Sequence, residues 1–588
     1  MVPQLLVRTL ALLFTGWSSG ISCVLALYLF YQWLLPKPIV GIPFSVAATQ
    51  NLLGDVPDLA AEVSRTRNFN SWLKKKAESF NSPVAQVFMR PFSKPFVILS
   101  DFREIQDILL HRKDDFDRTD MAYEMFGGLV PNFHLHMKTN ARWKSHRRLL
   151  QDLMVPRFLN NVAAPAIYSS TLRLIDLWKA KCSIADGRPF SAADDIHFAA
   201  LDAVLAFSFG SSFPHSATGP QLELISTQAE AMKENSGKVS STEEPVNFSQ
   251  AKVHEAIRAM VDLTDAMART KSSIFPLLHW KVLTKLPPLA YAVRVKNDFI
   301  MGEVKKAVNT LLTRPKTDDS RVRSAVDHIV DRENRFAEKE ARAPSFLTDA
   351  MRDEVFGFVV AGHDTTSTTV SWGVKFLADH SDAQSSLRTA LCSGYSDAVK
   401  ERRQPTLDEI THTQIPYLDA CIEEILRCAP TVPAIDRQAT RDTTLLGHRI
   451  PKGTAVFFLT TSRSFFSPPF QIDKEQRSPT FRDAEMKDNG YELDTFEPRR
   501  WLIRTEEDRV GENVVFDSTA APTLPFGGGV RGCFGRRLAY LELRLLLVLI
   551  IWNFQLQHCP KGLSGYRGYD GVVHKPVHCF VRLAEARL

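Results

Sequence analysis

Near its carboxyl end the chain reads Pro525-Phe526-Gly527-Gly528-Gly529-Val530-Arg531-Gly532-Cys533-Phe534-Gly535, followed by an apolar helical pattern from Leu538 through Trp552. A glycine-rich loop thus delivers one cysteine to a helix start. Backbone N–H groups and the positive end of the helix dipole favour a thiolate there, and Arg531 adds a cation, so the thiol's pKa is expected to fall. A phosphate loop is excluded, because no Gly-Lys-Ser or Gly-Lys-Thr follows the glycines. A buried structural cysteine beside a tight turn is the plain alternative, but the glycine density fits close approach of the backbone to a flat cofactor. A second cluster, Ala361-Gly362-His363-Asp364-Thr365-Thr366, interrupts an apolar run that includes Phe356, Phe358, Val359 and Val360. Glycine, an acid and hydroxyls in mid-helix are poor for propensity and need compensation. Its plain reading is a helix end capped by Asp364.

These residues need rigid elements to hold them. Helical periodicity dominates after residue 45, with strand-like runs at Val84–Met89, Phe96–Ser100 and Ala455–Leu459, so the chain is expected to be mainly α with a smaller β region. Polar stretches over 215–250, 314–342 and 471–494 read as surface excursions, and nothing repeats, so one large domain over 46–588 is expected. Ahead of it, Leu10 to Leu35 carries no charge. As a helix that run is about 39 Å long, enough for a hydrocarbon core of ~30 Å, and it reads as a transmembrane anchor. It is too long for a signal-peptide core, and no small-x-small cleavage site precedes Lys37. Residues 36–45, with Pro36, Pro38 and Pro43, form a stiff linker.

The 588 residues are 44% hydrophobic and 23% charged, with a net charge of +6, the composition of an ordinary globular protein. No basic patch falls on a nucleic-acid recognition motif, so no nucleic-acid partner is expected. The eight cysteines contain no C-x-x-C pair, which argues against a zinc site or a disulfide framework and fits a reducing compartment.

The cysteine loop resembles the heme-binding signature F-x-x-G-x-R-x-C-x-G of the cytochrome P-450 superfamily, matched at Phe526, Gly529, Arg531, Cys533 and Gly535. The resemblance implies the cytochrome P-450 fold, heme b as cofactor, Cys533 as the axial thiolate on iron, Phe534 and Gly535 beside the sulfur, and Arg531 at a propionate. Ala361 to Thr365 is similar to the family's A-G-x-D/E-T, which implies an oxygen groove where Asp364 and Thr365 order water and pass protons. Glu424 and Arg427 resemble the E-x-x-R helix. Phe496-Glu497-Pro498-Arg499-Arg500-Trp501 resembles F-x-P-x-R-F, with Trp501 where the family has phenylalanine. Glu424, Arg427 and Arg500 would then be a structural ion-pair triad supporting the cysteine loop. Trp143 and Arg147, one helical turn apart on one face, resemble the W-x-x-x-R propionate pair, and Arg437 resembles a further propionate arginine.

The resemblance implies a membrane-anchored monooxygenase that inserts one oxygen atom from O2 into a lipophilic small molecule. Electrons would come from NADPH through a separate flavoprotein reductase, docked on Lys144, Arg148, Arg536 and Arg537. Membrane lipid would be a further partner, with the chain single-pass in the endoplasmic reticulum and its catalytic domain in the cytosol. Pocket candidates are Phe126, Phe358, Ala361, Thr365, Val432, Ile435, Val572 and Val573, mostly apolar. The stretch 324–333 looks like fungal members acting on secondary metabolites. Peroxide-using or rearranging catalysis without a reductase is the alternative, disfavoured by the retained Asp364 and Thr365, and a membrane heme sensor is a third reading.

Overall fold

Helices form where apolar residues recur at helical spacing and a polar cap relieves the first backbone N–H groups. The computed structural model describes residues 23–210, 213–236, 242–271, 273, 275–313, 323–467, 470–481, 490–504 and 514–586. Helices of importance to the site are Ala141–Leu150 (α1), Ala193–Phe209 (α2), Glu255–Lys271 (α3), Asp349–Asp379 (α4), Pro416–Cys428 (α5) and Arg536–Asn553 (α6). The side chain of Asn140 accepts the Trp143 N–H at 2.9 Å to start α1, and the Thr348 hydroxyl accepts the Met351 N–H at 3.2 Å to start α4.

Helix α4 runs for 31 residues without a break, straight through Gly362 and Asp364, so Asp364 is not a helix cap. Its poor helix formers are compensated by packing and by local hydrogen bonds. A side chain at Gly362 would put its Cβ 3.1 Å from Val204, so the glycine lets α2 lie close. The hydroxyls of Thr365, Thr369 and Ser371 donate to carbonyls one turn earlier, at 2.8, 3.0 and 2.8 Å.

The β part is smaller, as expected. A five-stranded sheet has the order β1-β2-β5-β4-β3, formed by Val84–Val87 (β1), Phe96–Leu99 (β2), Phe116–Asp117 (β3), Ala434–Ala439 (β4) and Ala455–Leu459 (β5). Strands β2 and β5 are parallel, with Val97 opposite Val456, and both are covered on their two faces, which explains their unbroken apolar sequence. Near the carboxyl end Gly568–Asp570 (β6) pairs antiparallel with His574–Pro576 (β7).

Two polar stretches hold more order than their composition suggests. Thr218–Ser236 is a helix within 215–250, and Ala325–Lys339 is a helix within 314–342 that buries Val326, Ile329 and Val330 along one stripe. Arg335, Glu338 and Lys339 are exposed and Asp331 and Glu333 are buried beside the stripe, so the segment reads as polar overall although it packs. The linker also departs from a free spacer, because the buried Gln86 donates to the carbonyls of Ile39 and Ile42 at 2.8 and 2.7 Å. Among the described residues no helix is long and apolar enough to cross a membrane. Residues 10–22 of the anchor expected over 10–35 lie outside the described residues, and 23–34 are helical.

Helix α6 buries Glu542 among leucines, where its Oε2 accepts the Thr366 hydroxyl at 2.7 Å. Burial pushes this carboxyl from 4.5 up to about 8, with Thr366 pulling the other way. The folded state therefore keeps a proton that the unfolded state releases, so stability from this group is full at low pH and is lost as pH rises from about 4.5 to about 8. Glu542→Gln mimics the neutral acid. Thermal unfolding across pH should show the variant gaining on the wild type through that window and holding a constant lead above it; a gap independent of pH would refute the assignment.

Candidate active site

The cysteine loop is closed by its own backbone, since the Cys533 N–H donates to the Phe526 carbonyl at 2.8 Å and the Gly532 N–H to Gly529 at 3.0 Å. Gly529 sits at φ +62, and a Cβ there would lie 2.0 Å from the Leu109 carbonyl oxygen, so only glycine fits. A Cβ at Gly535 would meet nothing within 4 Å, so no protein neighbour demands glycine there. Phe526 packs 5.2 Å from Tyr540, under the Arg536 guanidinium at 5.8 Å. Cys533 is exposed, yet the protein around it desolvates the thiol and raises its pKa, opposed by the Gly535 N–H, Arg147 and Arg536. The expected lowering does not occur. Burial outweighs the helix start, and Arg531 is occupied elsewhere, stacked 4.6 Å over the Trp143 ring and donating to the Leu135 carbonyl at 3.1 Å.

Arg531, Arg147 and Arg437, read from the sequence, gather with Arg118, which sequence reasoning missed. Burial and then Arg118 push both Arg437 and Arg531 down to about 9. Asp117 and Asp436 are the carboxylates within reach. Four guanidiniums against two carboxylates leave a surplus of two positive charges. Arg531 Nη1, Arg118 Nε and Trp143 Nε1 are buried without hydrogen-bond partners. Such a cluster is costly alone and calls for a dianionic group that accepts hydrogen bonds. The two carboxylates of heme fit that demand, and Arg147 bridges toward the sulfur, lying 4.9 Å over the Phe534 ring.

On α4, Ala361 is exposed and Thr365 half-exposed amid buried neighbours, marking an open groove on one face of the helix. Asp364 points elsewhere. It is buried, with Lys575 of β7 at 2.5 Å and His197 Nδ1 of α2 at 3.8 Å. Burial would raise this carboxyl, but Lys575, then His363 and His197, hold it below the usual range. Sequence reasoning had no signal for Lys575 or His197, which lie far from Asp364 along the chain. It also missed Glu354, whose carboxylate accepts from His134 Nδ1 at 2.7 Å and His146 Nδ1 at 2.8 Å and so ties α4 to α1. Of the pocket candidates, Phe358 is buried and lies 6.1 Å from the Phe207 ring, whereas Val432 is 44% exposed.

The three residues expected as a triad come together in full burial. Arg427 grips Glu424 at 2.8 and 2.9 Å, and Arg500 Nε lies 3.0 and 3.1 Å from the same carboxylate. Trp501 Nε1 donates to Glu424 Oε2 at 2.9 Å, and the Glu497 N–H to Oε1 at 2.8 Å. On α5 the neighbouring Glu423 accepts the Tyr540 hydroxyl of α6, which links the cluster to the helix that leaves the cysteine loop.

The chain matches the family model described as Cytochrome P-450 over residues 59–464 and 494–565. It is 41% identical over 579 residues to the cytochrome P-450 monooxygenase TRI13 of Fusarium sporotrichioides, covering 96% of this chain and 98% of that protein. The cytochrome P-450 monooxygenase xilC of Penicillium rubens is 36% identical over 567 residues, 96% of this chain and 95% of its own length. The cytochrome P-450 monooxygenase GME11363 of Pestalotiopsis microspora is 36% identical over 564 residues, 95% of this chain and 96% of its own.

Trp501 gives the Glu424 carboxylate a donor that phenylalanine lacks. Trp501→Phe should therefore lower stability by about 1.5–3 kcal/mol, the range for a hydrogen bond to a charged group. The measurement is chemical unfolding followed by circular dichroism, and an unchanged midpoint would show that the indole N–H contributes nothing.

Proposed function

From the premise that the chain belongs to the cytochrome P-450 family, we propose that it is a heme-thiolate monooxygenase inserting one oxygen atom of O2 into a lipophilic small molecule of fungal secondary metabolism. The observation that carries this reading is the buried arginine cluster with its surplus of two positive charges and unpartnered donors, beside the Cys533 loop. Heme b bound to the Cys533 sulfur supplies the oxygen chemistry, since thiolate ligation favours O–O cleavage.

The chain's own residues do the rest. Arg531, Arg147, Arg437 and Trp143, joined by Arg118, hold the propionates. The closed loop keeps Cys533 at one position, where its sulfur would hold the heme iron as a thiolate. Phe526 and Gly535 flank it, the glycine leaving room where no protein atom approaches. Glu424, Arg427 and Arg500 fix the scaffold. Thr365 offers its hydroxyl in the groove, and Asp364 holds or releases a proton on the far side of the same helical turn. Retention of both favours reductive oxygen activation over peroxide-only or rearranging chemistry.

Electrons come from NADPH through a separate flavoprotein reductase. Lys144 and Arg148 are exposed on α1 and Arg536 and Arg537 at the start of α6, the basic face such a partner requires. The reading includes an anchor over 10–35 in the endoplasmic reticulum membrane with the catalytic domain, 46–588, in the cytosol. Exposed Leu25, Leu27, Phe30 and Trp33 along 23–34 support it.

Reduced protein under carbon monoxide should show the red-shifted absorption band of thiolate-ligated heme, and Cys533→Ser should lose that band while remaining folded. The band in both proteins, or in neither, would remove Cys533 from the role. Thr365→Ala should keep the band but cut reductase-driven product formation on the order of a hundredfold, with peroxide released instead; undiminished product formation would take Thr365 out of the proton path.

A further inference from the structure

Outside the residues assigned to the heme and to oxygen, one half-buried cation has little to hold it. Lys271 is the last residue of α3. A lysine there ordinarily turns its charge to solvent and to the carbonyls of its own helix end. Lys271 instead crosses to the β6–β7 hairpin, where its Nζ donates to the Gly571 carbonyl at 3.4 Å. That bond is long, and among the described residues the ammonium has no second hydrogen-bond partner, so it keeps donors to spare. Burial lowers its pKa, against the pull of Asp570 and then Asp436. Both carboxylates are committed elsewhere. Asp570 accepts from His574 Nδ1 at 2.7 Å and from the Asn70 N–H at 3.0 Å, and Asp436 accepts the Thr119 hydroxyl.

This ammonium stands where the segments bearing the candidate pocket residues converge. The hairpin tip beside it carries Val572 and Val573. The His574 N–H donates to the Thr431 carbonyl at 2.9 Å, which sets the tip against the segment holding Val432 and Ile435. Ile435 Cδ1 lies 3.7 Å from where a Cβ on Gly527 would sit, so that segment reaches the Cys533 loop. On its other side the hairpin meets α4, whose Trp372 Nε1 donates to the His574 carbonyl at 3.1 Å. Helix α3 itself packs on the helix Asp120–Phe126, which ends in another candidate, Phe126. A lipophilic molecule entering between these segments takes water away from the ammonium. If it offers no acceptor there, a donor is left buried and unpaired, and the molecule is rejected. An anion is the poorer occupant, because Asp570 and Asp436 both lie within electrostatic reach.

We propose that Lys271 is a substrate-binding residue that selects lipophilic molecules already carrying a neutral oxygen acceptor, such as a ketone, ester or ether, over hydrocarbons of the same shape. The acceptor takes the donors that Gly571 leaves unused, and the apolar neighbours hold the rest of the molecule. The inference narrows the substrate class of the heme-thiolate reading above and rests on it.

The test titrates the full-length holoenzyme with adamantane, adamantanone and adamantane carboxylate, rigid cages of nearly one size, and reads each dissociation constant from the heme difference spectrum. The wild type should bind the ketone roughly tenfold more tightly than the hydrocarbon, about what one hydrogen bond to a charged group contributes. Lys271→Met should lose that preference, binding the ketone more weakly and the hydrocarbon as well as before or better, and Lys271→Arg should keep it. If Lys271→Met does not fold, Lys271→Ala makes the same comparison. A wild type that binds the hydrocarbon and the ketone alike, or neither, overturns the inference, as does an equal loss for both in Lys271→Met. Tightest binding of the carboxylate, lost in Lys271→Met, overturns the choice of a neutral acceptor. A wild type without the red-shifted carbon monoxide band, or a band kept in Cys533→Ser, overturns the heme-thiolate reading beneath it, whatever the cages do.

Discussion

One carboxylate governs how the cysteine loop is held. Glu424 is taken wholly out of water, which is tolerable only if its oxygens are neutralised and saturated with hydrogen bonds. Arg427 comes from its own helix, but Arg500, Trp501 and the Glu497 N–H come from a segment more than seventy residues later. The loop between must therefore fold back before the acid can be buried. Glu423 next to it receives the Tyr540 hydroxyl, so the same constraint reaches α6 and, through its start, Cys533. Removing one partner of such a group costs about 3–5 kcal/mol, because the remaining charge is left buried and unpaired.

The arginine cluster around Arg531 is left in a different state. Around Arg531 the protein buries more guanidinium than carboxylate and leaves donors unpartnered. The two clusters divide the labour: in one the guanidiniums spend donors on Glu424 and on the carbonyls of Glu492, Leu493 and Thr495 and make the scaffold rigid, whereas in the other donors stay unpartnered and can meet a ligand. Their contrast separates structural from binding arginines more clearly than residue type does.

Much of this was legible in the sequence because the residues concerned sit in dense local patterns. Phe526 to Gly535, Ala361 to Thr366, Trp143 with Arg147, and Glu424 with Arg427 are each within one loop or a few helical turns, and the strands at Val84, Phe96 and Ala455 lie where their apolar runs place them. What stayed hidden depends on contacts between distant segments. Lys575 is an isolated cation in a terminal hairpin, and nothing near it signals Asp364. Arg118 follows a short strand with no motif. The helix Ala325–Lys339 is masked by its many charged residues, two of which, Asp331 and Glu333, are buried with the apolar stripe. The direction of the Cys533 shift was misjudged because a helix start is visible in sequence whereas desolvation by surrounding side chains is not.

Helix α4 carries obligations along its whole length: Glu354 to His134 and His146, Asp364 to Lys575, Thr366 to Glu542, and Trp372 to the His574 carbonyl. These partners surround the rod on several sides, and each is set by angle as well as height. One inserted residue would turn everything beyond it by about 100° and shift it by about 1.5 Å, breaking the later contacts together. Point changes can be absorbed one at a time, but a change of length cannot. The segment should therefore tolerate changes of spelling far better than changes of length, and added or lost residues belong in the connecting loops instead.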